Sequence, residues 1–442
     1  MIKPMCVIQS PLETRSGYGD MSRDICRHII ELDLYDVKLV SMGWGMTPMN
    51  ALDPEKDTEL IKRIVPHPVQ LPRQPELFIQ ISVPNEFQPV GKYNIGITAG
   101  IETTAISLPW VQGCNRMNTV WTISQHSKLV IESTSIEERT PDGRTIANHK
   151  VTVPVEVLHN CINTEIFKKI PPELIEPKVR EMFTKVKEKF AFLFVGHWLQ
   201  GNIGEDRKNV GLLVSIFCQA FKDTVSTNKP ALILKTSGAG FSLLDREDIL
   251  RKIKDIRSSI GPNCPNVYLI HGELTEAEMN SLYNHPKVKV HISLTKGEGF
   301  GRPLLEATQS GKPIIASGWS GPIDFLEKEK CILLPGELKN VDASAVWENV
   351  IIPESQWFNV NPDAAGSAML FAFRKYDNLV LPAKQLAKSV RDKFNYAVIK
   401  DRTKDLLEKY VPKMAVPAPV VLPKLNKITK KVVNEESIQP TV

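Results

Sequence analysis

No apolar run in this 442-residue chain approaches the roughly 20 residues needed to span a bilayer. The N-terminus lacks the charged and apolar regions of a secretory signal. Cysteine is sparse and unpaired in pattern: Cys6, Cys26, Cys114, Cys161, Cys218, Cys264 and Cys331 are scattered, odd in number and free of any Cys-x-x-Cys. That argues against a disulfide framework and a thiolate zinc site, and makes the reducing cytoplasm the expected location. There is no strong charge of either sign, and the net charge of +5 permits an anionic partner without requiring one. Nor is there a cluster of basic and aromatic residues or a recognised nucleic-acid-binding motif. What remains is ordinary globular composition, 42% hydrophobic and 24% charged, in a chain long enough for two domains and an appendage.

The densest chemistry lies in Glu298-Gly-Phe-Gly-Arg-Pro-Leu-Leu-Glu306. Residues 287–294 before it alternate with β-branched residues and read as a strand entering a core. Pro303 suits the first turn of a helix, Gly311 suits the position just past its end, and Ile314 opens another strand. Strand, glycine loop, short helix and strand together aim backbone N–H groups at an anion, most simply a phosphate. Two carboxylates beside a phosphate would repel it unless they face hydroxyl donors. A sugar supplies those, through charge-assisted hydrogen bonds.

Along the chain, strands are expected near residues 5–9, 37–40, 77–81, 93–97, 119–123 and 155–158, with a helix reaching Ile30. Residues 66–75 are proline-rich loop, and 160–189, with Pro171 and Pro172, is a natural crossing. Strands resume at 190–195, 231–234, 267–270 and the motif strand. Beyond Val380, apolar residues recur at helical spacing from Leu386 to Tyr410. From Met414 the chain is rich in proline, small residues and lysine, the composition of a disordered tail. Strands alternating with helices argue two parallel α/β sheets.

The order of motifs across residues 293–325 resembles retaining glycosyltransferases of the GT-B fold that carry an E-x7-E motif. This is the large group that includes bacterial mannosyltransferases, sucrose synthases and glycogen synthases. The resemblance implies two Rossmann-like domains facing across a cleft, with C-terminal helices crossing back. The corresponding divisions are an acceptor domain at 1–170, a nucleotide-sugar domain at 185–380, a helical crossing at 381–413 and the tail at 414–442. It further implies that Glu298 meets the donor sugar and Glu306 the ribose hydroxyls, with the backbone around Gly299, Phe300 and Gly301 lying against the sugar and diphosphate and Arg302 also donor-binding.

A second phosphate-binding candidate follows the 190–195 strand, at Gly196 to Asn209. Relatives use an arginine and a lysine here to stabilise the departing diphosphate. Lys208 fits the lysine. His197 stands near the usual arginine position, so Arg207 is the substitute, and Lys235 ends a nearby strand. In the first half, Gly17 and Gly19 are expected to form a glycine loop near the donor phosphate, although no Gly-x-Gly-x-x-Gly follows. Residues 94–104 end a strand in glycines, threonines and Glu102, which takes the cleft edge where many relatives place a histidine. His126 is a further acceptor-side candidate.

The resemblance thus implies transfer of a sugar from a UDP- or GDP-linked donor to an acceptor hydroxyl, with retention. The nucleotide sugar is a co-substrate and no cofactor is expected. The cationic site and the missing Asp-x-Asp point to a metal-independent reaction. The acceptor is left open between a glycan, a lipid, a protein and a hydroxymethylated DNA base, as in phage DNA-modifying transferases. A non-catalytic nucleotide-sugar-binding protein, a phosphorylase and a GT-B epimerase are the alternatives.

Overall fold

The computed structural model describes residues 3–199, 201–225, 228–238 and 241–413. Its first half comprises β1 (Met5–Ser10), α1 (Gly17–Glu31), β2 (Asp36–Ser41), α2 (Thr58–Ile61), β3 (Leu77–Ile81), β4 (Tyr93–Thr98), α3 (Leu108–Asn115), β5 (Thr119–Thr122), α4 (Gln125–Ser133), β6 (Ser135–Arg139), β7 (Thr145–Lys150) and β8 (Val155–Val157). The main sheet has the order β2-β1-β3-β4-β5-β8, and every pairing in it is parallel. Every residue of β3 is buried, as a parallel strand covered on both faces requires.

A short helix, α5 (Pro177–Met182), lies on the crossing. The second half then repeats the plan with β9 (Ala191–Val195), α6 (Val210–Phe221), β10 (Ala231–Lys235), α7 (Leu243–Ile260), β11 (Val267–Ile270), α8 (Glu276–Asn284), β12 (Val288–Ser293), α9 (Arg302–Thr308), β13 (Ile314–Ser317) and β14 (Ile332–Leu334). Its parallel order is β11-β10-β9-β12-β13-β14. In both sheets the first strand sits inside the order. The carboxyl ends of the central strands therefore open onto a crevice at the switch point.

Two hairpins were not anticipated. β6 and β7 pair antiparallel, as do β15 (Gly336–Asn340) and β16 (Gln356–Val360). Both β6 and β15 are largely exposed, so neither carries the buried-face alternation by which a strand is read. The helical region also starts earlier than expected, at α10 (Pro362–Arg374), before α11 (Tyr376–Phe394) and α12 (Tyr396–Tyr410). The Asn361 side chain caps α10 by accepting from the Ala364 N–H at 3.0 Å, with Pro362 at the first helical position.

The last helix returns to the first half. Thr403 meets His28 of α1 at 3.2 Å, and Lys400 meets Glu31 at 2.8 Å. Glu156 at the end of the first sheet accepts from Lys409, Arg402 and Tyr410. One apolar core consequently runs from Ile8 and Ile97 through Phe300 and Leu305 to Phe394. The crossing is less free than its prolines imply. Lys168, Ile170 and Glu176 donate backbone N–H bonds to Asn280, Asn284 and Ser281 on α8, which fixes that stretch to the second half. The tail expected at 414–442 lies outside the described residues.

Candidate active site

Between the two sheets lies an open cleft of about 1490 Å³, lined from both halves. Its centre is the loop between β12 and α9. Gly301 opens α9 with a left-handed φ of 92°, and Pro303 occupies the first turn, so the local reading of the motif holds. Gly311 also has a positive φ, 67°, but falls two residues past the helix-end residue Gln309 rather than one. α9 has only seven residues, so its end supplies little charge. The charges of the cleft, of both signs, come from side chains.

Glu298 is the focus of that charge. Lys208 Nζ donates to Glu298 Oε1, and Arg207 Nη1 lies 3.5 Å from Oε2. Arg207 also donates to the Gly297 carbonyl at 3.0 Å and pairs with Glu102 at 3.0 Å from the opposite half. The loop that carries both cations is stitched to the glycine loop. Lys296 N–H donates to the Arg207 carbonyl at 2.8 Å, and the Asn209 amide donates to the Leu294 carbonyl at 3.2 Å. Burial alone would raise the Glu298 pKa, but the Lys208 and Arg207 charges hold it below the ordinary carboxylate value. Burial lowers the Lys208 pKa, with Glu298 opposing the shift. Burial also acts to lower Arg207, yet Glu102 and Glu298 raise it overall.

The backbone of Glu298 is held by Ser320, whose Oγ accepts the Glu298 N–H at 2.9 Å. Ser320 has φ 62° and ψ −156°, a region that only glycine occupies comfortably, at a cost of about 1–3 kcal/mol. Gly321 stands where a Cβ would meet the Gly299 carbonyl at 2.2 Å. Strain and tight contact thus fix the carboxylate loop from behind.

Glu306, one turn into α9, accepts from Tyr283 Oη at 3.0 Å and Arg302 Nε at 3.2 Å. Burial pushes its pKa up to about 7, against the Arg302 charge and with help from Asp20. Arg302 reaches across the cleft to Asp24 at 3.4 Å and Asp20 at 4.0 Å on α1.

Residues 262–345 match the family model described as glycosyl transferases group 1. Sucrose-phosphate synthase from Thermosynechococcus elongatus is similar in structure at 12% identity and a TM-score of 0.58, over 92% of this chain and 98% of that one. A glycosyltransferase from Rickettsia africae aligns at 11% identity and a TM-score of 0.59, over 93% and 100%. Anabaena HepE, solved with UDP and glucose, aligns at 12% and 0.55, over 92% and 100%. No curated protein matches the sequence. The chain has the GT-B fold, and its likeness to the group 1 glycosyl transferases is confined to residues 262–345.

Other expected site residues are distributed unevenly over this GT-B cleft. Lys235 lines it, with its ammonium 5.6 Å from the Phe241 ring centre, and burial lowers its pKa. His197 lines it too, 3.2 Å from Ser237, and burial with the neighbouring Lys208, Lys235 and Arg207 charges lowers its pKa. Glu102 stands at the cleft edge, but engaged with Arg207.

Several expectations need correction. Gly17 and Gly19 do not form a loop. They are in the first turn of α1, capped by Ser16, whose side chain accepts the Gly19 N–H at 3.0 Å. Only Gly17 opens on the cleft; a Cβ on Gly19 would lie 2.2 Å from the Thr14 carbonyl, so that glycine serves packing. Phe300 turns its ring into the core against Phe325 and Phe394, while the residue still lines the cleft. Gly299 faces the Ala99 carbonyl, 2.4 Å from a would-be Cβ, and Gly297 faces the Glu102 carbonyl at 2.1 Å. These glycines let the two halves touch. His126 leaves the cleft for a separate hollow of about 390 Å³, edge-on to Trp319, where burial lowers its pKa to about 4. Asp20, Asp24, Tyr283 and Ser320 were missed. In sequence the two aspartates are only acids four residues apart on a helix, indistinguishable from a solvated face.

Proposed function

We propose that this protein is a retaining glycosyltransferase that moves a sugar from a UDP- or GDP-linked donor to an acceptor hydroxyl without a metal ion. The observation that carries the reading is the convergence of Lys208 and Arg207 on Glu298 inside a two-domain cleft. A diphosphate is the stronger partner for two adjacent cations. Its arrival would release Glu298 to accept hydrogen bonds from the hydroxyls of the transferred sugar. Glu306, eight residues on, would accept from a ribose diol. HepE, with the same fold, was solved with UDP-glucose, which supports a nucleotide-sugar donor here.

In the proposed reaction the anomeric C–O bond breaks toward the diphosphate, and the acceptor oxygen attacks from that same face. The acceptor proton passes to the departing phosphate oxygen. Lys208 and Arg207 stabilise the charge that develops there, the task a metal ion performs in other transferases. Activity should therefore persist in EDTA, and the product should keep the donor's anomeric configuration by NMR. An inverted product would end the retaining mechanism.

A thermal-shift screen of nucleoside diphosphates at millimolar concentration tests the foundation. A ligand at 100 times its Kd should stabilise the fold by about 2.7 kcal/mol. No shift with any nucleotide would remove the transferase reading. The state of Glu306 gives a second test. With a pKa near 7 it is mostly protonated at pH 6 and ionised at pH 8. If the ribose requires the carboxylate, UDP-glucose affinity should rise about tenfold over that interval. UDP-glucose is chosen because its diphosphate does not titrate there. Glu306→Gln should weaken binding and flatten the profile; a flat wild-type profile would move the ribose elsewhere.

A further inference from the structure

The loop after β2 places an aromatic platform in the cleft that the donor machinery does not use. Trp44 lies half-buried between Gly43 and Gly45, the latter with a φ of 52°. Its ring stacks on Tyr18 with centroids 4.1 Å apart and planes 29° from parallel. Tyr18 is itself fixed: its hydroxyl lies 3.0 Å from Thr98 Oγ1 and accepts the Ala99 N–H at 3.0 Å. The loop is anchored by Met42 N–H to the Ser10 carbonyl at 3.1 Å and Ala51 N–H to the Glu13 carbonyl at 3.0 Å. Both rings line the cleft. Stacking on Tyr18 occupies one face of the indole. The half-buried ring, which lines the cleft, is thus already held by that stack before a ligand arrives.

Resting on the transferase reading, we infer that Trp44 is the acceptor platform and that the acceptor is an uncharged pyranoside whose ring stacks on the indole. Charge decides the class. The cations on this side of the cleft are already neutralised: Arg23 pairs with Asp20, Arg27 with Asp57 at 2.6 Å, and Lys56 with Asp53 at 3.6 Å. Arg15 bonds to the uncharged Asn50 side chain at 2.7 Å and faces Glu273 of the second half at 3.9 Å. A polyanion such as DNA needs unpaired cations for its phosphates, and this wall offers balanced pairs. A sugar needs a flat apolar face and many hydrogen-bonding groups. Trp44 supplies the first, and the lone pairs of these carboxylates supply the second. Tyr18 bonds to Ala99, whose carbonyl lies against Gly299, so the platform is one residue removed from the Glu298 loop.

The test uses the full chain and the nucleotide sugar selected by thermal shift. Acceptors are methyl α- and β-glucosides, mannosides and galactosides, with an oligodeoxynucleotide containing 5-hydroxymethylcytosine as the competing class. Trp44→Ala and Trp44→Leu should each raise the pyranoside KM about tenfold or more, with a smaller change in kcat and an unchanged donor Kd. Trp44→Phe, which keeps a flat ring, should recover most of the loss. Leucine keeps apolar volume, so a leucine variant as good as phenylalanine would reduce Trp44 to packing and overturn the inference. Transfer to the oligonucleotide but to no pyranoside would overturn it as well. In either case donor binding survives and the transferase reading stands; failure of every nucleotide to bind removes both.

Discussion

Lys208→Ala should lower kcat by about 10²–10³-fold, the loss of roughly 2.7–4 kcal/mol typical when one donor to a developing anion is removed. The reason is position. Lys208 is held beside Glu298 in a poorly solvated pocket, where a fixed charge acts more strongly than in water. Nucleoside diphosphate affinity should fall with it, because the same ammonium meets the product. Burial opposes the charged form of Lys208 and Glu298 opposes that shift, so losing the lysine also leaves Glu298 with the longer Arg207 contact alone. Lys208→Arg restores charge without the compact ammonium and should recover part of the loss. Steady-state kinetics with calorimetry of diphosphate binding reads all three effects. An alanine variant with wild-type turnover would place the leaving group away from this pair.

Glu298→Gln should act differently. Losing a charge-assisted hydrogen bond to the transferred sugar, worth about 1.5–3 kcal/mol, lowers kcat about tenfold to hundredfold. Diphosphate binding should be retained or tightened, since Lys208 and Arg207 lose their competing carboxylate. Because those cations hold the Glu298 pKa below the ordinary carboxylate value, it stays ionised through neutral pH. The wild-type kcat/KM profile, which reports the free enzyme, should then carry no acidic limb from Glu298 above about pH 5. Equal losses of turnover and diphosphate affinity in the glutamine variant would assign Glu298 to structure rather than to the sugar.

The two carboxylates, the glycines between them and Pro303 were legible because a strand–loop–helix turn is written in consecutive residues. The expected strands 77–81, 93–97 and 231–234 coincide with β3, β4 and most of β10 for the same reason: buried parallel strands are short, nearly continuous apolar runs. The exposed strands β6, β7 and β15 had no such run and were invisible. Gly19 was assigned to a ligand loop because a glycine beside a motif looks the same whether it faces a cleft or a core. Only its neighbour, the Thr14 carbonyl, tells the two apart.

By itself, the sequence determined the succession of strands and helices, the glycine-and-acid loop and the basic pair ahead of α6, all encoded within a few residues of one another. Tertiary structure alone decided which charges meet. Lys208 and Glu298 are 90 residues apart, and Arg302 and Asp24 are 278 apart. Their encounters depend on strand order and on two sheets presenting their carboxyl ends to one cleft, which local periodicity does not encode. The same holds for Trp44: its sequence neighbours mark a loop, and its stacking on Tyr18 arises only when β2 is laid beside β1.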